Sequence, residues 1–521
     1  MAPTNRRASK ARANTAAAPV VHFSEHSWWS GDVALLIYLA AATVLVHLIT
    51  GGQYGFHRDE LATLDDARHL AWGYVAYPPV TPLFGRLSLI LFGTSLTGFR
   101  FFAAVAEAAA VVLTGLMARE MGARRGAQLI AAAAALPFCL GGGTLMQYVS
   151  FDYLCWVLAA YFVVRLLATG DARWWLAIGA SIGLGMMTKY TMGFFALGIV
   201  VGVFFTDARR YIESKWLWIG VALSVLIFLP NFVWQVQNHF VSFDFLQDIH
   251  ARDVRIGRTH NFLPGQLNMT LLAFPLWMAG LYFSLFSRAG RQFRMIGFMY
   301  VVPLLLFIAA KGRDYYLAPA YPMLYAAGSI AGEQWLRSLS RTWANVIRVG
   351  AWTALTADVV IACVFFLPVA PVNSGLAQRV FKLQYNFREE IGWQELVQTV
   401  AGIRDSLPAR DRSRFGVLAG NYGEAGAINL YGPAYGLPSA ISGMNSFWQR
   451  GYGDPPPDTL IVIGVSRNYL DRHFIGCEVA GHISNRYGIQ NEETQEHPDL
   501  FICRGPRQPW PQFWQNFRYY G

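Results

Sequence analysis

Long apolar runs recur through the first 370 residues of the chain, and short polar connections separate them. Because a helix needs about 20 residues to cross the hydrocarbon of a bilayer, these runs predict membrane-spanning helices. Eleven spans are predicted, near residues 32–50, 99–118, 126–144, 151–168, 173–189, 191–206, 216–234, 265–286, 295–310, 317–336 and 347–368.

One apolar stretch does not have the length of a span. Residues 78–93, "PPVTPLFGRLSLILFG", open with two prolines and carry Arg86. A short apolar segment with a charge inside it is typical of a helix that lies at the membrane interface, and that placement is predicted here.

The pattern changes near residue 371, where charge rises and the apolar runs shorten to the length of strands. Four such runs, "RFGVLAG", "DTLIVIG", "CEVAGHIS" and "DLFICRG", follow a segment with helical spacing, "GWQELVQTVAGIRDSL". This alternation indicates an α/β domain. The predicted fold class is a multi-span α-helical membrane protein of about 11 transmembrane helices with a C-terminal extracytoplasmic α/β domain.

Three regions follow from these patterns. Residues 1–31 are basic and polar for too long to be a signal peptide, and we interpret them as a disordered cytoplasmic tail. Residues 32–370 form the transmembrane domain, with a first outer loop and interfacial helices over 51–98. Residues 371–521 form the α/β domain.

Charge agrees with a membrane protein and fixes a predicted orientation. Of all residues 54% are hydrophobic and 14% are charged, against roughly a quarter charged in soluble proteins. The net charge is +10, and the basic residues lie in short clusters between apolar runs. This distribution is the one that membrane orientation requires, and it makes nucleic-acid binding unexpected. With the N-terminus in the cytoplasm, every basic cluster between spans falls inside except that of 235–264, a longer loop that also carries acids.

This orientation predicts a multi-pass protein of the cytoplasmic (inner) membrane whose C-terminal domain is periplasmic or extracellular, because an odd number of spans precedes it. Five cysteines without a CxxC pair or a Cys/His cluster argue against a zinc site. Cys477 and Cys503 could pair as a disulfide if their domain is outside the cytoplasm.

The predicted outer face holds "HRDE", residues 57–60, directly after the first span. Adjacent helix residues point roughly 100° apart, so Asp59 and Glu60 cannot address one atom. One of them is a candidate general base, because partial burial raises a carboxylate's pKa toward the working range, while the other holds Arg58 or caps the helix. The alternative is a helix cap at the interface, in which Asp59 accepts hydrogen bonds from the free N–H groups of the helix and Arg58 touches lipid headgroups.

Other outer connections collect further polar groups. Lys189 lies at the outer end of the fifth span, and "KGRDYY" places Lys311 and Arg313 at the same level. These cations either extend toward the headgroups or together bind a phosphate there. Asp152 begins the fourth span, where it is either a first-turn acid favoured by the helix dipole or a second acid of the cleft.

Glycines 420, 423 and 426 lie between a predicted strand and a predicted helix of the C-terminal domain. Their spacing is GxxGxxG, which does not meet the GxGxxG dinucleotide pattern. We interpret them as a tight strand-to-helix turn.

The stretch "HRDEL…ARHLAWGYVAYPPVTPL" (57–83) closely resembles the first outer loop of bacterial glycosyltransferase family 39. These membrane proteins have the GT-C fold and are relatives of protein O-mannosyltransferases and lipid A aminoarabinose transferases. "KGRDYYLAPAYPML" (311–324) and "LAGNYGEAGAINLYG" (418–432) are similar to members of the same group.

The resemblance implies a glycosyltransferase, for a hexose or pentose, that takes the sugar from a polyprenyl-phosphate donor. It passes the sugar to a protein, lipid or glycan acceptor on the outer face, with inversion. Asp59 is then the general base, with Glu60 and Asp152 as further acids of the cleft. The cations that would bind the donor phosphate are Lys189, Lys311, Arg313 and Arg58. The side chains that would contact the substrates are His57, His69, Tyr74, Tyr315 and Tyr316.

No cofactor is certain. Some GT-C enzymes use a divalent metal and others do not, and the sequence contains no dedicated set of metal ligands. Two other functions stay open: a transporter or flippase of a lipid-linked sugar, and a non-catalytic relative that binds glycans. Transporters usually place ionisable groups near the midplane and often contain inverted repeats, whereas here the polar groups collect at one face.

Overall fold

The computed structural model describes residues 31–521, so the tail predicted over 1–31 lies outside the described residues except for its last position. The first part of the described chain is helical. Its helices are α1 (Asp32–Thr50), α2 (Arg58–Arg68), α3 (Val80–Phe92), α4 (Leu96–Glu120), α5 (Arg125–Gly142), α6 (Tyr148–Thr169), α7 (Trp174–Met186), α8 (Met192–Phe205), α9 (Lys215–Gln237), α10 (Val241–Arg255), α11 (Phe262–Thr270), α12 (Phe274–Leu285), α13 (Arg294–Ala309), α14 (Tyr321–Ser338), α15 (Arg341–Phe366) and α16 (Gly375–Leu383).

The chain is a multi-pass membrane protein. Within residues 31–521, seven helical segments are long and apolar enough to cross a membrane: α1, α4, α6, α9, α15, α11 continuing into α12, and α13 with the turn before it. An eighth is α8 if it forms one span with the 3-10 helix Asp207–Glu213, from which it is bent by 99°. The other predicted spans coincide with the helices α5, α7 and α14, so the count of eleven stays a prediction.

Small residues set how closely these helices pack. A Cβ at Gly179 of α7 would lie 2.0 Å from the carbonyl oxygen of Gly220 in α9. A Cβ at Gly280 of α12 would lie 2.0 Å from the carbonyl oxygen of Leu324 in α14. In lipid no hydrophobic driving force acts between helices, so the van der Waals packing that such close backbone contacts allow stabilises their association.

Helix α3 is amphipathic. Thr81, Gly85 and Ser88 are buried, with Gly85 against α2 and α4, whereas Leu83 and Ile90 are among its exposed apolar residues. Its 13 residues are too few for a span. These features agree with the predicted interfacial helix.

The C-terminal region contains both helices and strands, as predicted. Its strands are β1 (Phe415–Ala419), β2 (Thr459–Ile463), β3 (Glu478–His482) and β4 (Asp499–Cys503), and its helices are α17 (Trp393–Ser406), α18 (Ala409–Arg412), α19 (Tyr422–Tyr431), α20 (Arg467–His473), α21 (Glu492–Gln495) and α22 (Trp510–Asn516).

The four strands form one sheet in the order β1-β2-β4-β3. β1 and β2 are parallel and the other pairs are antiparallel. Cys477 and Cys503 form the disulfide that the sequence left open, and it ties the start of β3 to the end of β4. The side of the membrane on which this domain lies stays a prediction.

Candidate active site

The start of α2 explains the local arrangement of "HRDE". His57 is the N-cap, and its Nδ1 accepts a hydrogen bond from the Asp59 backbone N–H at 3.2 Å. The Glu60 carboxylate accepts from the His57 N–H at 3.0 Å, which completes a capping box. The predicted helix cap therefore exists, but His57 and Glu60 form it, and the Asp59 side chain is left for other partners.

The Asp59 carboxylate receives one hydrogen bond on each oxygen. The Tyr422 hydroxyl of α19 donates to Oδ1 at 2.7 Å, and the Gln147 amide before α6 donates to Oδ2 at 2.8 Å. His57 Nδ1 is 3.8 Å from Oδ2, and 42% of the side chain is exposed. A carboxylate that is oriented from two sides and still open to solvent has the geometry of a general base.

Glu60 lies away from this opening and is fully buried. Its carboxylate accepts from Arg100 of α4 at 2.6 Å and from the Met146 N–H at 2.9 Å. Arg100 also donates to Glu390 at 3.2 Å, so one buried guanidinium serves two carboxylates. The structure thus gives Glu60 a role in fixing the start of α2 and does not bring it into the cleft.

Arg58 faces the C-terminal domain. Its guanidinium pairs with Glu492, lies 3.9 Å from Glu389, and sits over the Tyr422 ring at 5.0 Å. The side chain is 13% exposed. Because carboxylates already surround it, Arg58 is not arranged here to receive a phosphate.

Lys189 lies in the turn between α7 and α8, among three tyrosines. Its Nζ is 3.8 Å from the ring centroid of Tyr316 and 5.1 Å from those of Tyr148 and Tyr315. Burial lowers the pKa of Lys189, and the nearby carboxylate of Asp152 opposes part of that effect. Asp152 itself is buried and accepts a hydrogen bond from the Trp156 indole at 3.1 Å.

The first turn of α6 connects these two groups. Gln147 precedes the helix and bonds Asp59, while Tyr148, its first residue, lies against Lys189. Tyr148 is also close enough to Asp59 and Arg313 for their charges to affect its hydroxyl. Asp59 and Lys189, which the sequence predicted to lie in one site, therefore contact two adjacent residues, Gln147 and Tyr148, respectively.

The two later cations differ in their surroundings. Arg313 donates to Asp253 of α10 at 2.6 Å and is 21% exposed. Lys311 is exposed and, in the part of the chain that the structure describes, its side chain makes no hydrogen bond or ion pair, although its backbone N–H donates to the Ile308 carbonyl oxygen at 3.2 Å. Arg313 borders two of the tyrosines around Lys189, Tyr315 and Tyr316, whereas no side-chain hydrogen bond, ion pair or ring contact within residues 31–521 joins Lys311 to them.

The remaining predicted contact residues stabilise the first outer loop. His69 follows α2 and bonds the Asp65 carbonyl oxygen at 2.9 Å. The buried Tyr74 hydroxyl accepts from the Ala71 N–H at 3.0 Å and donates to the Asp66 carbonyl oxygen at 3.1 Å. Neither touches Asp59 or Lys189 in the structure, whereas Tyr315 and Tyr316 line the cation as described above.

Two residues of the site, Tyr422 and Tyr148, are not among those predicted from the sequence. Tyr422 lies in "LAGNYGEAGAINLYG", one of the stretches that resembles the family, so that motif was the available signal. Tyr148 lies just before the predicted fourth span, 151–168, in a short outer connection, so its position was the available signal. Within residues 31–521, no group of three or more His, Cys, Asp or Glu side chains is arranged to hold a metal ion.

Comparisons with known proteins agree with the sequence resemblance. The family model of dolichyl-phosphate-mannose-protein mannosyltransferases matches residues 76–234, which confirms the resemblance to glycosyltransferase family 39. A search of curated proteins finds no match to the chain.

Two crystal structures share the fold. ArnT from Cupriavidus metallidurans bound to undecaprenyl phosphate aligns with 91% of this chain and 99% of its own, at a TM-score of 0.55 and 13% identity. The same protein in the apo state aligns with 91% of this chain and 98% of its own, at a TM-score of 0.56 and 14% identity. The chain is thus similar in fold to ArnT over nearly its whole length.

Proposed function

We propose that this membrane protein, a relative of glycosyltransferase family 39, transfers a sugar from a polyprenyl-phosphate donor to an acceptor hydroxyl on the outer face of the cytoplasmic membrane. The observation that carries the proposal is the placement of the Asp59 carboxylate and the Lys189 ammonium on either side of Gln147 and Tyr148. The undecaprenyl phosphate bound to ArnT, a protein of similar fold, supports the class of donor.

The reaction requires a base and a cation, and these two groups supply them. The acceptor oxygen attacks the anomeric carbon while Asp59 takes the hydroxyl proton. The bond between that carbon and the phosphate oxygen breaks, and polyprenyl phosphate leaves with the bonding electrons. A single in-line displacement of this kind inverts the configuration at the anomeric carbon.

Lys189 stabilises the leaving phosphate. A fixed positive charge in a partly desolvated site stabilises developing negative charge far better than the same charge in water. The rings of Tyr315 and Tyr316 hold the ammonium in place by cation–π contact, so little reorganisation is needed when the phosphate leaves. Arg313 adds positive charge nearby, but its ion pair with Asp253 offsets part of that charge.

Helix α3 suits the lipid part of the donor. Its exposed apolar residues, Leu83 and Ile90 among them, follow directly on the first outer loop. We propose that this face guides the polyprenyl chain, so that the phosphate stays at headgroup depth near Lys189.

A transporter of lipid-linked sugars is the second candidate function. The assay that separates the two uses purified protein in liposomes with a polyprenyl-phosphate sugar, and follows both sugar transfer and lipid movement across the bilayer. Sugar transfer to an added acceptor supports the enzyme. Lipid movement without any transfer would support the transporter and exclude our proposal.

Replacing Lys189 with methionine is expected to lower the rate of transfer about a hundred-fold, because the leaving phosphate loses its cation. The matched control is Lys215→Met, since Lys215 also lies near an aromatic ring, that of Trp216 at 5.4 Å, but is the first residue of α9 and not part of the proposed site. Initial rates in the liposome assay measure both variants. Equal rates for the two variants would exclude Lys189 from the site.

The rate of transfer is also expected to decline as pH rises. The decline should occur at a lower pH than that at which free lysine loses its proton. Burial lowers the pKa of Lys189, so the ammonium is present at low pH and disappears as pH rises through that lowered value. The pH–rate profile of Lys189→Arg, which stays charged throughout, should lack this alkaline decline. An identical decline in both proteins would assign it to another group.

A further inference from the structure

We propose that the C-terminal α/β domain completes the reaction centre, with Tyr422 as a positioning residue for Asp59. The inference rests on the proposed function. It adds that the C-terminal domain is needed to orient the base, Asp59. The donor and acceptor of this hydrogen bond lie 363 residues apart in sequence.

The hydrogen bonds of Asp59 come from two different regions. Gln147 belongs to the membrane-embedded part and holds Oδ2, while Tyr422 belongs to the C-terminal domain and holds Oδ1. Burial raises the pKa of Tyr422, so its hydroxyl stays protonated and donates. The Arg58 guanidinium over its ring fixes the ring as well.

The sequence of α19 explains how Tyr422 reaches α2. Asn421 caps α19, and its Oδ1 accepts from the Glu424 N–H at 2.9 Å, while the Glu424 carboxylate accepts from the Asn421 N–H at 3.1 Å. This reciprocal cap fixes Tyr422 as the first residue of the helix. A first-turn side chain on a helix that is capped in this way has little freedom to move.

Two of the three motif glycines allow the close approach. A Cβ at Gly423 would lie 2.9 Å from the Arg58 Cβ, and a Cβ at Gly426 would lie 2.7 Å from the backbone carbonyl of Leu61. Helix α19 therefore packs directly on the backbone of α2. The spacing that the sequence argument attributed to a strand-to-helix turn also forms a helix–helix contact, through its second and third glycines.

A set of polar contacts holds the other end of α2. Arg450 pairs with both Asp65 and Asp66, and the Asn429 amide donates to Asp65 at 2.7 Å. Arg68 donates to the Asn429 carbonyl oxygen at 2.8 Å. The C-terminal domain thus contacts α2 along its length, and Tyr422 is the contact that touches the proposed base.

The expected consequence concerns the protonation of Asp59. A hydrogen bond donated to a carboxylate stabilises its charged form, so removing the donor makes protonation easier. The titratable groups near Asp59 are His57 from its own segment, Tyr148 from α6 and Tyr422 from α19, while the neighbouring Arg58 is turned toward Glu492. Among them only Tyr422 donates a hydrogen bond directly to the carboxylate.

Tyr422→Phe in the full-length protein is expected to lower kcat for transfer about ten-fold or more, the effect typical of losing a hydrogen bond to a charged group. The acid limb of the pH–rate profile should move to higher pH, while the KM for the polyprenyl-phosphate sugar stays near its original value. The matched control is Tyr431→Phe, which removes a hydroxyl from the last residue of the same helix and should leave the profile unchanged.

Gly426→Ala provides a second test with the Tyr422 side chain intact. The added methyl group must shift α19 from α2, so the acid limb should move in the same direction. A pH–rate profile of Tyr422→Phe that superposes on that of the original protein would overturn the inference. If Asp59→Asn is inactive in that same experiment, the proposed function stands and only the role of Tyr422 falls.

Discussion

Asp59→Asn is expected to lower the rate of sugar transfer about a thousand-fold, within the range typical of losing a general base. Asparagine has the same shape as aspartate, and its oxygen can still accept from the Tyr422 hydroxyl at the position where Oδ1 now accepts at 2.7 Å. What it lacks is the capacity to take the acceptor's proton. Transfer in liposomes measures the loss, and size-exclusion chromatography with thermal unfolding checks that the fold is retained.

Asp244→Asn is a suitable control for this change. Asp244 is also an acid in the first turn of a helix, α10, and it is exposed. Removing its charge should leave transfer almost unaffected. If Asp59→Asn kept a tenth or more of the activity, Asp59 would not be the base, and a group elsewhere in the cleft would have to take the proton.

The hydrophobic pattern predicted the secondary structure well because it depends on neighbours along the chain. Each of the eleven apolar runs is helical, and the four strand-length runs are β1 to β4. The pattern did not predict the interruption at Leu271–Ala273 between α11 and α12, nor α10, which lies in a polar loop. Both depend on packing against distant segments, which local periodicity does not report.

Asp59 and Glu60, adjacent on α2, point in different directions, as their helical spacing predicts. Residues about 100° apart on a helix were expected to take different roles, and the structure separates an open carboxylate from a buried one that caps α2. The contact of Arg58 with the donor phosphate stays a prediction, and in the structure carboxylates surround Arg58. Its partner Glu492 is 434 residues away in the sequence, and the sequence pattern near Arg58 does not predict that contact.

The same limit explains why the sequence did not yield the complete site. Lys189 was identified from its position at the end of a span, but the rings of Tyr148 and Tyr316 around it come from other helical segments. A single sequence gives the depth of a residue in the membrane through the length of each span. It does not give the rotation of the helices about their axes, which decides which of the residues at that depth face one another.

Arg100→Met is expected to destabilise the folded protein by about 3–5 kcal/mol, the usual effect of removing one partner of a buried ion pair. Arg100 is buried and lies 2.6 Å from Glu60 and 3.2 Å from Glu390, so the variant would leave two buried carboxylates without their cation. Thermal unfolding in detergent measures the change. Arg86→Met, which removes an exposed arginine from α3, is the control.

The pH dependence of this loss distinguishes charge from packing. Burial raises the pKa of Glu390 to about 7, and Arg100 opposes that effect, so its removal raises the value further. A carboxyl group whose pKa is raised on folding favours the folded state while it is protonated, and this advantage disappears as pH rises through the folded value. The deficit of Arg100→Met should therefore be smallest near pH 5 and largest above pH 7. A deficit that is independent of pH would mean that the arginine stabilises α4 through its packing alone.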